Sequence, residues 1–268
     1  MKTIKDQIGR EIILKNTPKR IISLVPSQTE LLCDLALENE LVGITKFCVH
    51  PFHLKSTKTI VGGTKKVDFE KIKELNPDFI LCNKEENSYD MLPELEKIAP
   101  TYFSDVNNLN DSIDLILHLG SILNRRTESD NLAHKIEFKL ADFNQFIKDK
   151  PTRKVAYFIW AKPWMVVGND TYINEMLKLN KFENIYDNMS RYPKVEINKI
   201  RHEGDPDVVI LSSEPFPFKD EHAMEIASFT NRSITVFGDG EMFSWPGSRM
   251  LLAFDYFKEL HKKLESHF

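Results

Sequence analysis

The chain has 268 residues, a formal net charge of −4, 41% hydrophobic and 28% charged residues, the balance of a folded globular protein. That composition excludes a disordered chain, a collagen-like repeat and a disulfide scaffold. A slightly acidic chain also lacks a broad electrostatic footprint for nucleic acid, and only 10 glycines argue against a fold built on glycine-rich phosphate loops.

Three cysteines, Cys33, Cys48 and Cys82, cannot all pair, and each sits in an apolar stretch. Buried free thiols in a reducing compartment are expected. The opening MKTIKDQIGREIILKN has no apolar core and no small-residue cleavage site. As it stands the chain reads as cytoplasmic; the alternative is a periplasmic or cell-surface protein whose leader has been removed. No uncharged apolar run approaches the roughly 18 residues of a membrane span.

Asp6-Gln7-Ile8-Gly9-Arg10 is a turn signal before the short run Glu11–Leu14, so the chain is expected to open with a hairpin. Arg20–Val25 reads as a buried strand stopped by Pro26. Ser27 or Thr29 is then expected to cap a helix reaching about Leu37. Leu41–Ile44 follows as a strand, Phe69–Leu75 as a helix ended by Asn76-Pro77, and Phe79–Cys82 as another strand. This βαβα order points to a parallel sheet covered by helices. The second half repeats it: strand Lys154–Trp160, helix Thr171–Leu179, helix Ile197–His202 and strand Asp207–Leu211.

One stretch is repeated closely. Val67-Asp68-Phe69-Glu70-Lys71-Ile72, followed by Asn76-Pro77-Asp78, matches Val195-Glu196-Ile197-Asn198-Lys199-Ile200, followed by Asp205-Pro206-Asp207. Glu85 and Glu214 then fall at equivalent places just past each strand. Two copies so far apart imply two similar lobes rather than a solenoid. Between them Asp111–Lys150 is nearly all helix-forming, with Gly120 and Asn124–Thr127 as expected breaks and Thr127 with Asp130 as a capping box. A helix from about Thr127 to Lys148 spans roughly 30 Å, a stiff strut rather than a flexible linker. The expected division is an N-terminal α/β lobe at 1–124, a backbone helix at 125–150 and a C-terminal α/β lobe at 151–268.

Two α/β lobes present the loops after their strands to a ligand. Those loops are rich in aromatics and polar anchors. At this point the sequence resembles a known family. Pro-x-Arg-Ile-x-Ser-Leu-x-Pro-Ser-x-Thr-Glu (Pro18 to Glu30), Val-Gly-Gly-Thr (Val61–Thr64), the helix followed by Asn76-Pro77-Asp78 and a strand, and Trp-Pro-Gly-Ser-Arg (Trp245–Arg249) are similar to segments of the solute-binding proteins of cobalamin and ferric-siderophore ABC importers. Asn83–Asn87, Pro163–Gly168 and Ser213–Pro215 resemble most its cobalamin-binding-protein-like branch, the helical backbone metal receptors. The resemblance runs from about Asp6 to Leu260. It implies a class III periplasmic-binding-protein-like fold, two Rossmann-like α/β lobes joined by one long backbone α-helix. It also implies a monomer that holds a metal chelate in an interlobe cleft, with an ABC permease as a partner. Glu70 matches a carboxylate that docks on the permease, and the matching place in the second copy is Asn198.

The expected ligand-binding set is Ser27, Gln28, His50, Lys84, Glu85, Trp160, Trp164, Arg191, Glu214, Phe216, Phe243, Trp245 and Arg249. The aromatics would wall a large planar ligand. Glu85 and Glu214 balance the bases of Lys84, Arg191 and Arg249, which suits a neutral or zwitterionic corrinoid better than a highly anionic ferric siderophore. His50 is a candidate axial ligand to a corrinoid cobalt, but a protein-held metal needs more ligands than Cys48 and His50 supply, so no resident metal or cofactor is expected. No G-x-S-x-G, GxxxxGK[ST] or HExxH motif occurs. A non-catalytic binding protein is therefore expected, with a cytosolic corrinoid-handling enzyme or chaperone as the alternative.

Overall fold

The computed structural model describes residues 1–267. The described chain divides into two compact units: 1–136 with 246–249, and 137–245 with 250–267.

The first unit opens with the antiparallel hairpin β1 (Lys2–Lys5) and β2 (Glu11–Leu14). Gly9 turns it at φ +88°, and Asp6 ties it by accepting from the Arg10 amide at 2.8 Å. The main sheet comprises β3 (Ile21–Ser23), β4 (Leu41–Ile44), β5 (Thr59–Ile60), β6 (Phe79–Asn83) and β7 (Thr101–Ser104), all parallel, in the order β5-β4-β3-β6-β7. Helices α1 (Pro26–Asp34), α2 (Leu54–Thr57), α3 (Phe69–Glu74), α4 (Leu92–Glu96) and α5 (Leu109–Ile122) follow strands or connect them. This is a doubly wound sheet whose order reverses between β3 and β6, the position at which such sheets leave a crevice. Helix α6 (Arg126–Ile147) begins in this unit. At 1.5 Å per residue it is about 33 Å long.

In the second unit β8 (Arg153–Trp160), β10 (Phe182–Asn184), β11 (Val208–Ser212) and β12 (Ile234–Gly238) run parallel in the order β10-β8-β11-β12, and β9 (Met165–Val166) joins β8 antiparallel. Its helices are α7 (Tyr172–Leu179), α8 (Ile200–Glu203), α9 (Asp220–Ala227), α10 (Gly240–Ser244) and α11 (Met250–Glu265). The order reverses between β8 and β11. The second half of α6 packs on α11 through Phe143 against Phe254 and Phe257. Lys139–Asp255, Asp142–Lys258 and Lys150–Glu265 pair along the same seam.

The repeat seen in the sequence is a repeat of hydrogen bonding. Asp78 accepts from the amides of Lys19 and Arg20 just before β3, and Asp207 accepts from the amide of Lys154 in β8 at 2.7 Å. In each copy the Asp after the proline fixes the start of the neighbouring strand.

Several local expectations are corrected. Strand β3 ends at Ser23, and Pro26 starts α1 at the position where a missing amide hydrogen costs nothing. Neither Ser27 nor Thr29 caps the helix: Thr29 Oγ1 turns back to the Val25 carbonyl at 2.9 Å. The helix stops at Asp34 and does not reach Leu37. Gly120 does not break the central helical stretch. It lies inside α5, where a Cβ would stand 2.0 Å from Ser129 Oγ, so glycine is what lets α5 and α6 cross closely. The break is at Asn124, with φ +57°, and α6 begins at Arg126, which puts Thr127 inside its first turn rather than at a cap. Strands β5, β7, β9, β10 and β12 had no reading from sequence; three are of two or three residues, too short to show a period.

Candidate functional site

In the first unit the carboxyl ends of β3 and β6 carry a network of amides and hydroxyls. The Gln28 amide, 2% exposed, and Asn83 Nδ2 both donate to Ser104 Oγ, the second at 2.9 Å. Asn87 Oδ1 accepts from the Asn83 amide at 2.8 Å, while its Nδ2 donates to the carbonyls of Thr64 and Leu24. Asn83 Oδ1 caps the next turn by accepting from the amide of Glu85 at 2.7 Å. Every one of these side chains holds a loop in place. Gln28 Oε1 is left buried without a partner, a costly state unless something polar reaches it.

The other predicted residues of this unit have partners of their own. Ser27 is buried in the first turn of α1. Lys84 is exposed and paired with Asp105 at 2.7 Å. His50 is half-buried. Arg249 is 5% exposed and grips Glu30 through Nε–Oε2 at 2.9 Å and Nη2–Oε1 at 2.7 Å. Burial pushes the Glu30 carboxyl up and Arg249 pulls it back. The same segment is tied by the Gly247 amide donating to Ser112 Oγ at 2.7 Å. Arg249 is therefore committed to an ion pair inside the unit. Glu70 stands exposed in the first turn of α3, whose N-cap Asp68 accepts from the Lys71 amide.

In the second unit the carboxyl ends of β8 and β11 are aromatic. Trp160 is 39% exposed and meets Phe216 edge to face at 5.2 Å. Phe216 packs in turn on Phe218 and His222. Trp164 is more enclosed, edge-on to Phe158 and stacked on Phe218. Glu214 Oε1 accepts from Trp245 Nε1 at 2.9 Å and from Ser244 Oγ at 2.8 Å, which fixes the indole of Trp245. A Cβ on Gly240 would stand 2.6 Å from Glu214 Cγ and 2.5 Å from Ser212 Oγ, so glycine there lets the Glu214 loop close down on α10. Phe243 is 0% exposed, enclosed by Tyr157 and Phe257, and its ring offers a ligand no face. Arg191, at φ +63°, lies over Tyr192 and donates to the Asp170 carbonyl at 3.3 Å. Phe218 and His222 complete the aromatic group. The sequence signal for Phe218 was its place in Glu214-Pro215-Phe216-Pro217-Phe218; for His222, on α9, there was none.

All three cysteines are free thiols. Burial pushes Cys33 up to about 12, and Cys48, 3.1 Å from Thr29 Oγ1 and 3.2 Å from Thr45 Oγ1, is raised for the same reason. These are not reactive nucleophiles. Among the described residues no three His, Cys, Asp or Glu side chains converge as a metal site, and no helix is long and apolar enough to cross a membrane.

Two parallel sheets, each with its order reversing and with ligand-type side chains at the reversal, match a family profile described as periplasmic binding protein over residues 21–232. The chain belongs to that family. Among its relatives, it is 27% identical over 185 residues to an uncharacterised ABC transporter substrate-binding lipoprotein, YvrC, of Bacillus subtilis, covering 66% of this chain and 58% of that one. It is 26% identical over 209 residues to the vitamin B12-binding protein of Vibrio vulnificus, covering 77% and 73%. The periplasmic vitamin B12-binding protein BtuF of Vibrio cholerae shares the fold with a TM-score of 0.79 at 21% identity, over 93% of this chain and 98% of that one. The periplasmic haem-binding protein RhuT of Roseiflexus shares it at 0.80 and 15% identity, over 93% and 98%. The expected α/β, class III binding-protein fold is thus the fold of the chain. A family of binding proteins also carries the expectation of a non-catalytic role.

Proposed function

We propose that this protein is the solute-binding component of an ABC importer and that its ligand is a planar metal chelate, a corrinoid first and a ferric siderophore second. The observation that carries the ligand class is the exposed Trp160 set against Phe216 at the reversal of the second sheet. A large, half-exposed indole with an edge-on ring beside it is a surface for a macrocycle, and such aromatic faces dominate recognition of flat ligands. The relatives named as vitamin B12-binding proteins support the corrinoid, and a siderophore-binding protein of the same fold supports the second choice. Glu70, exposed on α3, is proposed as the carboxylate that meets a basic surface on the permease.

The test is a tryptophan-fluorescence titration with cyanocobalamin beside a panel of ferric siderophores. All three tryptophans, Trp160, Trp164 and Trp245, lie in the second unit, so quenching reports on that unit alone. Saturable quenching by cyanocobalamin, reduced in Trp160→Phe, is the expected result. Saturation by a siderophore alone would move the assignment to the second choice, and no saturation by either would overturn the metal-chelate reading.

A further inference from the structure

The outer strands of the two sheets are finished differently. β7 and β12 hold equivalent places, each beside the strand that follows a Pro-Asp repeat. In the first unit Thr101, Phe103 and, just past β7, Asp105 turn backbone groups away from β6, and the turn after β1 covers them with side chains. Arg10 Nη2 donates to the Thr101 carbonyl at 2.8 Å, Asp6 Oδ2 accepts from the Phe103 amide at 3.3 Å, and Gln7 Oε1 accepts from the Asp105 amide at 3.2 Å. An edge covered in this way offers no template to another chain.

β12 has no such cover. The Ile234 amide donates to the Asp207 carbonyl and the Ser213 amide to the Gly238 carbonyl, so the even-numbered residues of β12 face β11. The amides and carbonyls of Thr235 and Phe237 therefore face outward, and among the described residues no group bonds them. The next outward amide, that of Asp239, is closed by Tyr256 Oη at 2.9 Å. The open stretch Ile234–Gly238 has no charge and no proline, the two devices that ordinarily guard an edge. Phe237 stands on it 48% exposed.

The two ends of this edge differ in charge. Before it, Arg232 is exposed and has no carboxylate partner among the described residues. Past it, a hollow of about 410 Å³ is lined by Phe237, Asp239 and Glu241, with Ser213 and Gly238. Two carboxylates beside an exposed ring favour a cation. A second copy laid antiparallel reverses the ends, so that each Arg232 comes to the end where the other copy carries its acidic hollow. The same arrangement sets Thr235 opposite Phe237 of the other copy, the pairing in which both residues exchange their amide and carbonyl bonds.

We propose that the outer edge of β12 pairs antiparallel with the same edge of a second copy of this chain, about a two-fold axis at Val236. The edge is self-complementary in backbone and in charge, as an isologous contact requires, and the two Phe237 rings lie diagonally across it, within reach of each other. One strand pair buries less than the roughly 1,200 Å² of a stable interface. The pairing is therefore weak, with a Kd of about 10–100 μM, and the chain is the monomer its family resemblance implies only when dilute. The contact uses the second unit alone and is independent of which ligand the protein holds.

Sedimentation velocity of the full chain from about 1 μM to about 1 mM brackets that Kd and should show monomer converting to dimer. Phe237→Lys sets two ammonium groups across the axis, and Thr235→Pro removes an outward amide without taking a bond from β11; each should weaken the dimer at least about tenfold. Phe237 is exposed, so Phe237→Lys should leave the urea midpoint unchanged. Arg232→Glu should weaken the dimer about three- to tenfold, and less at high salt. Amide hydrogen exchange locates the contact: the Thr235 and Phe237 amides should exchange freely when dilute and become protected as concentration rises. A wild-type chain that stays monomeric throughout, or a dimer unchanged in both edge variants, overturns the proposal. So does a dimer that leaves both amides exchanging freely, which places the contact elsewhere, or protection of both amides already when dilute, which means that the chain closes its own edge.

Discussion

The two sheets present opposite chemistries at the same topological place. The first ends in amides, hydroxyls and charges: Gln28, Asn83, Asn87 and Ser104 at the reversal, with the Glu30–Arg249 pair buried in the same unit. The second ends in rings: Trp160, Phe216 and Phe218, with Trp245 held by Glu214. Yet both are built from the same repeat, down to the Asp that anchors the neighbouring strand. The difference teaches that the repeat encodes scaffold, whereas recognition chemistry was placed independently in the loops that follow it. Glu85 and Glu214 show this at a single equivalent position. The amide of one takes a cap from Asn83, while the carboxylate of the other fixes an indole.

The largest expected effect tests whether the polar unit depends on its buried ion pair. Arg249→Ala leaves Glu30 buried without its cation and should cost about 3–5 kcal/mol, read as a lowered urea midpoint. Glu30→Leu/Arg249→Met should recover most of that, because burying a charge pair gains little over apolar packing of similar volume. Lys139→Ala, at the partly exposed pair with Asp255 in the other unit, should cost about 0.5 kcal/mol or less. A costly double variant would mean that the pair contributes more than mutual neutralisation.

Acid should separate the two units in opposite directions. His261 in the second unit is 0% exposed, bonded to Asn180 and stacked on Phe182. Burial, with Arg153 and Lys150 adding to it, lowers its pKa to about 4. The unfolded chain therefore binds the proton first, near the ordinary histidine value of about 6.5, and stability falls as pH drops from there towards 4. The loss should reach about 3 kcal/mol by pH 4 and about 2 kcal/mol by pH 5. Glu30 in the first unit is shifted upward, chiefly by burial, so its folded form holds the proton more readily and its own contribution weakens as pH rises above the ordinary glutamate range. Fluorescence-detected unfolding, which follows the second unit, should show a midpoint that drops between pH 7 and 5, and His261→Gln should flatten that drop. An unchanged slope in the variant would remove His261 as the cause.

Smaller effects sharpen the division of roles. Trp160→Ala removes an exposed recognition face and should weaken chelate binding about tenfold, a hot-spot-sized loss, with little change in the unfolding midpoint. Asn83→Ala, whose side chain holds four backbone or hydroxyl partners, should instead lower stability by about 1–2 kcal/mol and change affinity mainly through the loop it releases. If the two substitutions exchanged their effects, the polar edge would be the ligand face and the aromatic edge the support. Smallest of all, Glu70→Gln should leave ligand affinity unchanged and slow association with a permease at low salt, as expected for one rim charge.

Much of the scaffold was legible because it is written in short-range pattern. The apolar strands Leu41–Ile44, Phe79–Cys82 and Asp207–Leu211, the helix Phe69–Leu75 and the helix-Pro-Asp repeat each need only a few neighbouring residues to be recognised. The aromatic loops at Trp160 and Phe216 are legible in the same way, as rings clustered just past a strand. What failed was local grammar with two solutions: Pro26 ends a strand as readily as it begins a helix, and Gly120 breaks a helix as readily as it admits a neighbour.

The sequence by itself determined the alternation of strands and helices, the two copies and the pool of loop residues from which a site is drawn, because these follow from periodicity and backbone preference. Only the tertiary structure decided which of those residues are still available. Arg249 meets Glu30 across 219 residues of chain, and Phe243 is closed in by Tyr157 and Phe257. Partnering over such separations depends on where sheets and turns bring side chains together, and no local pattern in the chain records it.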